Sequence, residues 1–267
     1  VSSALLLHFV VRPTAALTMR FFKAIIAYDG TQYSGWQIQV DQPSVQQTLE
    51  AALQRITGES SRMVASGRTD AGVHALGQVV SFSTSSRLSA DDLCRALNAH
   101  TPRDISIRAL SEAQHGFHAI RDATSKRYRY VIDDHGLADV FQRRHAWHVP
   151  QRLNIEAMAG AARALKGRHD FSSFEASGSE RASSVRTVTD IQVARGEGTL
   201  QDKIVIEIEA DGFLYNMVRN IVGTLVEVGR GAQTEEWVKD VLAARNRKAA
   251  GPTAPPQGLF LVCVRYE

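Results

Sequence analysis

Two cysteines in 267 residues, Cys94 and Cys263, are too few and too far apart for a disulfide framework or a paired-cysteine zinc site. Both read as small buried apolar residues in a reducing, cytoplasmic setting. No apolar run reaches the length of a membrane span. The one apolar tract near the start, "ALLLHFVV", is short and follows no basic segment, so neither a secretory signal nor a membrane partner is expected. No glycine-rich phosphate loop occurs. His145 and His148 lack the glutamate of a zinc helix, and His115 and His118 stand without cysteines or clustered acids. These residues argue against nucleotide-cofactor and metal chemistry, so no cofactor and no metal are expected. A large charge excess is missing too: the formal net charge is +3, which permits a polyanionic partner without requiring one.

What is present is a 44% hydrophobic share, enough for a real core, in a chain long enough for one large domain or two small ones. Basic residues crowd the middle of the chain, at Arg121, Lys126, Arg127, Arg129, Arg143, Arg144 and Arg152. Arginine suits bidentate phosphate contact and stacking on bases. Asp122, Asp133, Asp134 and Asp139 lie among them, so a mixed solvated surface is an equal reading of charge alone.

The pattern of elements repeats. "FFKAIIAYDG" alternates as a strand that ends in an Asp-Gly turn. A helix follows, capped by Ser44 and Gln47 and lined by Val45, Leu49, Ala52 and Ile56. Short strands at Met63-Val64 and "QVVSFS", a helix from Ser89 and the strand "ISIRAL" complete the order β-α-β-β-α-β. The second half runs from "KRYRYVID" through a helix capped by Asn154, strands at "VRTVTDIQVA" and "KIVIEIEA", a long helix from about Phe213 to Val228, a shorter helix and the strand "LFLVCVRY". The order is the same with one helix added. The expected fold is α+β: two ferredoxin-like halves forming one extended mixed antiparallel sheet, helices on one face, and an active-site cleft between the halves. Residues 1–18 are expected to be a disordered extension or an over-called start, 19–121 the first half and 122–267 the second. "AGPTAPPQG" reads as a loop before the last strand.

Three places call for chemistry. In "SGRTDAGVH", Asp70 follows Arg68 by two residues in a glycine-bounded loop, and extended backbone there would project both side chains to one side. A guanidinium within about 4 to 6 Å keeps an aspartate ionised, as a nucleophile or general base must be. Taken alone, Asp and Gly shaping a turn explain the stretch as well, and His74 reads as a structural residue of that turn. Arg219 lies in "GFLYNMVRNIVGTLVEVG", where Glu227 is the only other charge and apolar residues cover most of the helix. A buried guanidinium needs an anion, and Glu227 is two turns away, too far for adjacent-turn pairing. The partner is a structural acid or a functional one. In "SKRYRYVI", Tyr128 and Tyr130 share one face and Arg127 and Arg129 the other, which fits either core packing or a stacking platform for a single-stranded or flipped base.

Together these motifs resemble the tRNA pseudouridine synthase A family. The resemblance runs from about Arg20 to Glu267 through "YDGTQYSGWQIQ", "SGRTDAGVHALGQVVSF", "RALNAHTPRDISI", "SKRYRYVI", "HDFSSF", "GFLYNMVRNIVGTL" and "APPQGLFLVCVRY", in that order. It implies isomerisation of uridine to pseudouridine at positions 38–40 of the tRNA anticodon stem-loop, without cofactor, by a homodimer. By motif, Asp70 matches the catalytic aspartate and Tyr128 the tyrosine that stacks on the target base. Arg219 matches the basic residue paired with the aspartate, and Arg68 the residue that enters the space left by the extruded nucleotide. Two readings of other classes stand beside it. A non-catalytic RNA-binding module or tRNA chaperone would use the same sheets but has no need of Asp70, and a nucleoside or glycoside hydrolase would want a second carboxylate.

Overall fold

The computed structural model describes residues 18–176 and 183–267. The expected N-terminal extension lies outside the described residues apart from Thr18. The first six elements are β1 (Arg20–Tyr28), α1 (Val45–Thr57), β2 (Val64–Ala65), β3 (His74–Thr84), α2 (Ala90–His100) and β4 (Ile105–Ala113). They are followed by β5 (Ala123–Asp133), β6 (Trp147–His148), α3 (Ile155–Ala162), β7 (Gly167–Asp170), β8 (Val185–Arg195), β9 (Ile204–Ala210), α4 (Met217–Gly229), α5 (Glu235–Ala244) and β10 (Leu259–Tyr266).

Among the described residues the ten strands form one sheet, ordered β4-β1-β3-β10-β5-β9-β8-β7, with β2 on β3 and β6 on β5. The order β4-β1-β3-β2 recurs as β10-β5-β9-β8, each the fourth, first, third and second strand of a βαββαβ unit once the short β6 and β7 are set aside. Local chemistry agrees with the elements. Ser44 accepts a hydrogen bond from Gln47 N–H at the start of α1, Gly58 ends it at φ +75°, and the Ser89 and Asn154 side chains cap α2 and α3.

The units join where β3 and β10 run parallel. That contact spans two residue pairs, Phe260 with His74 and Leu261 with Ala75. Further along the same edge of β3, β2 takes over at Val80 and Ser81. The connection between β2 and β3, residues 66–73, therefore emerges at the gap between the units. Across the joint, Tyr28, Ala75, Leu261, Tyr128 and Ile208 form one row of buried sheet neighbours on a single face. The core is one continuous cluster, with Leu49, Leu53, Leu93 and Leu97 of α1 and α2 at one end and Met158, Ile221 and Leu225 of α3 and α4 at the other. Each such side chain contributes about 1.5–3 kcal/mol by leaving water.

Two expectations are corrected, the burial of the cysteines and the start of the long helix, and the open readings of Tyr130 and of the basic residues on β5 are resolved. Cys94 and Cys263 are half-buried and not fully buried. Helix α4 begins at Met217, four residues after the expected start, because Asn216 takes φ +58°, which a right-handed helix cannot accommodate. Tyr130 is 0% exposed and donates its hydroxyl to Pro255 O at 2.6 Å, so it is core and not a stacking surface. Arg127 and Arg129 lie on the sheet face away from the helices, where Glu207, Glu209 and Asp190 neutralise them. They add no net positive charge there. Among the described residues no helix is long and apolar enough to cross a membrane.

Candidate active site

The 66–73 loop is anchored at Ser66, Gly67 and Thr69. Ser66 Oγ donates to Gln78 Oε1 at 2.7 Å, and Gln78 Nε2 donates to Gly67 O at 2.8 Å. Thr69 is fixed by its side chain to Tyr28 OH at 2.8 Å and by its carbonyl, which accepts Trp36 N–H at 3.0 Å. Gly35 permits that approach: a Cβ on it would lie 2.6 Å from Thr69 O. With these residues tied back, Arg68 and Asp70 both line the cleft between the two units.

Opposite stands the first turn of α4. Arg219 Nη1 donates to Asp70 Oδ2 at 3.3 Å, with side-chain exposures of 15% and 29%. Two further bonds hold the guanidinium: Nε donates to Ala254 O at 2.7 Å and Nη1 to Asn216 Oδ1 at 3.0 Å. The partner that an apolar helix demanded for Arg219 is thus an acid 149 residues away in sequence. Burial pushes the Asp70 carboxyl above its ordinary value, and Arg219, by charge and hydrogen bond, offsets only part of that rise. The result is an aspartate more basic than one in water, hence a stronger nucleophile or base once ionised.

The cleft has a volume of about 900 Å³. Its apolar lining includes Val73, Leu214, Met217, Val218 and Leu259, and Arg68, Lys126 and Arg186 contribute positive charge. Tyr128, 8% exposed, lines it from β5, with Phe213 edge-on to its ring at 4.9 Å. The Tyr128 hydroxyl makes no hydrogen bond within the described residues, and no buried polar side-chain atom among them is left unsatisfied, so this hydroxyl is open to the cleft. Burial, then the nearby Tyr28 and Asp70, push its ionisation far above the ordinary phenol range, so it stays protonated and can donate.

Arg68, Asp70, Tyr128 and Arg219 therefore all border one cavity. Arg68 is exposed and makes no ion pair with Asp70 among the described residues; Arg219 is the cation in contact. His74 does not face the cleft. It begins β3 at 1% exposure on the other side of the sheet. There Asp29, His74 and His145 bring three metal-type donor atoms within 4.8 Å of one another, a convergence the sequence spacing did not reveal. The Nδ1 lone pair of His74 is already taken by Gly30 N–H at 3.0 Å. Sequence reasoning also missed Asn216, whose left-handed backbone and amide oxygen aim Arg219. Its signal was available, since asparagine is the ordinary residue that tolerates that backbone at a helix start.

A family model described as tRNA pseudouridine synthase matches residues 24–120 and 161–267. The chain belongs to the tRNA pseudouridine synthase family. Curated members named tRNA pseudouridine synthase A match it nearly end to end. One from Thermoanaerobacter sp. (strain X514) is 46% identical over 93% of this chain and 100% of its own. One from Moorella thermoacetica is 48% identical over 93% of this chain and again 100% of its own. A solved chain from an H/ACA RNP bound to a substrate RNA containing 2′-deoxyuridine aligns at 12% identity over 77% of this chain and 44% of its own, with a TM-score of 0.36. Within the family match, Arg68 and Asp70 fall in the first segment and Arg219 in the second, while Tyr128 lies between them.

Proposed function

We propose that this protein isomerises uridine to pseudouridine in tRNA, at positions 38–40 of the anticodon stem-loop, with Asp70 as the reacting group. The observation that carries the reading is the Asp70–Arg219 contact of 3.3 Å inside a cleft bordered by Tyr128. In the reaction the C1′–N1 bond breaks, the base turns, and a C1′–C5 bond forms; C5 loses its proton and N1 ends protonated. Nothing is oxidised or reduced, so one ionised carboxylate can serve, whether it attacks the sugar, attacks the base or abstracts a proton to give a glycal-like intermediate.

A stacked uridine cannot present C1′ and C5 to a side chain, so the nucleotide is extruded at a cost of a few kcal/mol. In this reading the base enters the cleft and stacks on Tyr128, Arg68 occupies the gap left in the stem, and Lys126 and Arg186 contact phosphate. The chain works as two halves, 19–121 and 122–267, each supplying part of the site. A homodimer, in the cytoplasm, would join two modest basic surfaces into one tRNA footprint, which accounts for a small net charge on an RNA enzyme.

The test is incubation of the protein with unmodified tRNA followed by nucleoside analysis. Pseudouridine at 38–40 is the expected product. Binding without conversion would instead mark an RNA-binding module, and release of free uracil a hydrolase. For Tyr128, the expectation separates ring from hydroxyl. Tyr128→Ala loses the stacking surface, about 1–3 kcal/mol, or roughly 5- to 150-fold in single-turnover rate. Tyr128→Phe keeps the ring, and the part of the loss that it recovers measures the platform alone.

A further inference from the structure

The segment between α5 and β10, read from sequence as a plain loop, touches both sides of the candidate site. Ala254 O accepts Arg219 Nε at 2.7 Å, and Ala254 N donates back to Arg219 O at 3.1 Å. Three residues on, Gln257 O accepts His74 Nε2 at 3.2 Å. Between them the Pro256 ring covers Gly72: a Cβ on that glycine, at φ +76°, would lie 3.2 Å from Pro256 Cγ. The segment thus grips Arg219 at one end and the loop carrying Asp70 at the other.

His74 is the residue that fastens the Asp70 side. Its Nδ1 accepts Gly30 N–H at 3.0 Å, and its Nε2–H is shared between Arg144 O at 2.9 Å and Gln257 O at 3.2 Å. Those bonds select the neutral Nε2–H tautomer. The ring stacks on Phe260 at 4.7 Å and is buried, with Asp29 and His145 as its titratable neighbours. A single side chain therefore ties the end of β1, the stretch before β6 and the 254–257 segment together, four residues from Asp70.

We infer that His74 is a positioning residue for uridine isomerisation, fixing through Gln257 and the 254–257 segment the distance between Asp70 and Arg219. The inference rests on the reading of Asp70 as the reacting group. It differs from a plain folding role because His74 contacts neither the cleft nor Asp70, yet both partners of the ion pair hang from what it holds.

Two variants divide its bonds. In His74→Gln the amide nitrogen reaches the Nε2 position and keeps a donor for Gln257 O, whereas His74→Asn keeps an acceptor for Gly30 and loses the strap. Single-turnover pseudouridine formation should fall in the Asn variant by roughly 10²-fold, the effect of a small misplacement of reacting groups, with tRNA affinity unchanged. The Gln variant should retain the larger part of the rate. The acid limb of the Asn variant's pH–rate profile should also move to higher pH, because a displaced Arg219 offsets less of Asp70's burial. The other groups around Asp70, namely Tyr128 and Lys126 on β5, Arg186 on β8, Asp211 and the neighbouring Arg68, are unaltered. Pro256→Gly, which slackens the segment at its contact with Gly72 and leaves the His74 side chain and its bonds to Gly30 and Arg144 in place, should lower the rate in the same way and serves if His74→Asn does not fold. Equal rates and pH limbs in wild type and the informative variant overturn the inference, as does an equal loss in the Asn and Gln variants that follows only their melting temperatures. Wild type and Asp70→Asn run alongside: no pseudouridine from wild type, or undiminished product from Asp70→Asn, rejects the functional reading itself.

Discussion

Asp70→Asn should abolish pseudouridine formation while leaving the protein at least as stable as wild type at pH 7. The activity loss is expected to reach three orders of magnitude or more, roughly what removing a nucleophile costs in enzymes where it has been measured. The stability half follows from linkage. Burial raises the folded-state pKa of Asp70 above its ordinary value of 3.8 despite Arg219. A group shifted in that direction adds stability below its unfolded pKa and loses that contribution as pH rises through the folded one. At pH 7 the ionised carboxylate is therefore a net burden on the fold, and the asparagine amide imitates the protonated form that the fold prefers. Thermal denaturation at pH 7 and nucleoside analysis on the same preparation check both halves. A lower melting temperature would mean that the Arg219 pair outweighs burial and that Asp70 is held chiefly as a structural acid.

Arg219→Ala should reduce the single-turnover rate by roughly 10²- to 10³-fold, the usual effect of removing one fixed electrostatic partner from a site. It should also displace the acid limb of the pH–rate profile upward. Both influences that lower the Asp70 pKa, charge and hydrogen bond, come from Arg219, and only burial opposes them. Without the guanidinium, burial acts alone and ionisation requires a higher pH. The loss should therefore be larger at pH 6 than at pH 8. The variant also leaves the buried Ala254 carbonyl without its Nε donor, a cost of about 1–3 kcal/mol, so its rates are compared below its own melting transition. Arg219→Lys restores a charge but cannot reach Ala254 O, Asn216 Oδ1 and Asp70 in the same geometry, and should fall between the two. An unchanged pH profile in Arg219→Ala would separate the arginine from the chemistry of Asp70.

Much of this was legible from residues alone. The strand alternation of "FFKAIIAYDG" and "KIVIEIEA", the caps at Ser44, Ser89 and Asn154 and the stop at Gly58 are local matters, decided within a few residues by side-chain period and backbone preference. Apolar crowding around Arg219 implied a buried cation and a missing anion, an inference from solvation that needs no coordinates. The start of α4 was misplaced because "GFLY" continues the apolar pattern of the helix, and that pattern does not register the one residue, Asn216, whose backbone breaks it. Arg127 and Arg129 looked like a basic surface because the acids that cancel them sit on β8 and β9, more than 60 residues away.

The two βαββαβ runs, the apolar rows that bury one face of the sheet, and the charged residues that packing does not account for were all readable from the order of residues. Those follow from short-range periodicity and from the cost of burying charge. It took the folded chain to show that Asp70 meets Arg219 and not Arg68, that His74 turns away from the cleft, and that a proline-rich loop joins the two sides of the site. The parallel contact of β3 with β10 and the packing of Pro256 onto Gly72 bring together groups 149 and more residues apart. No local pattern encodes such a distance, because the free energy that sets it belongs to the packing of the whole sheet.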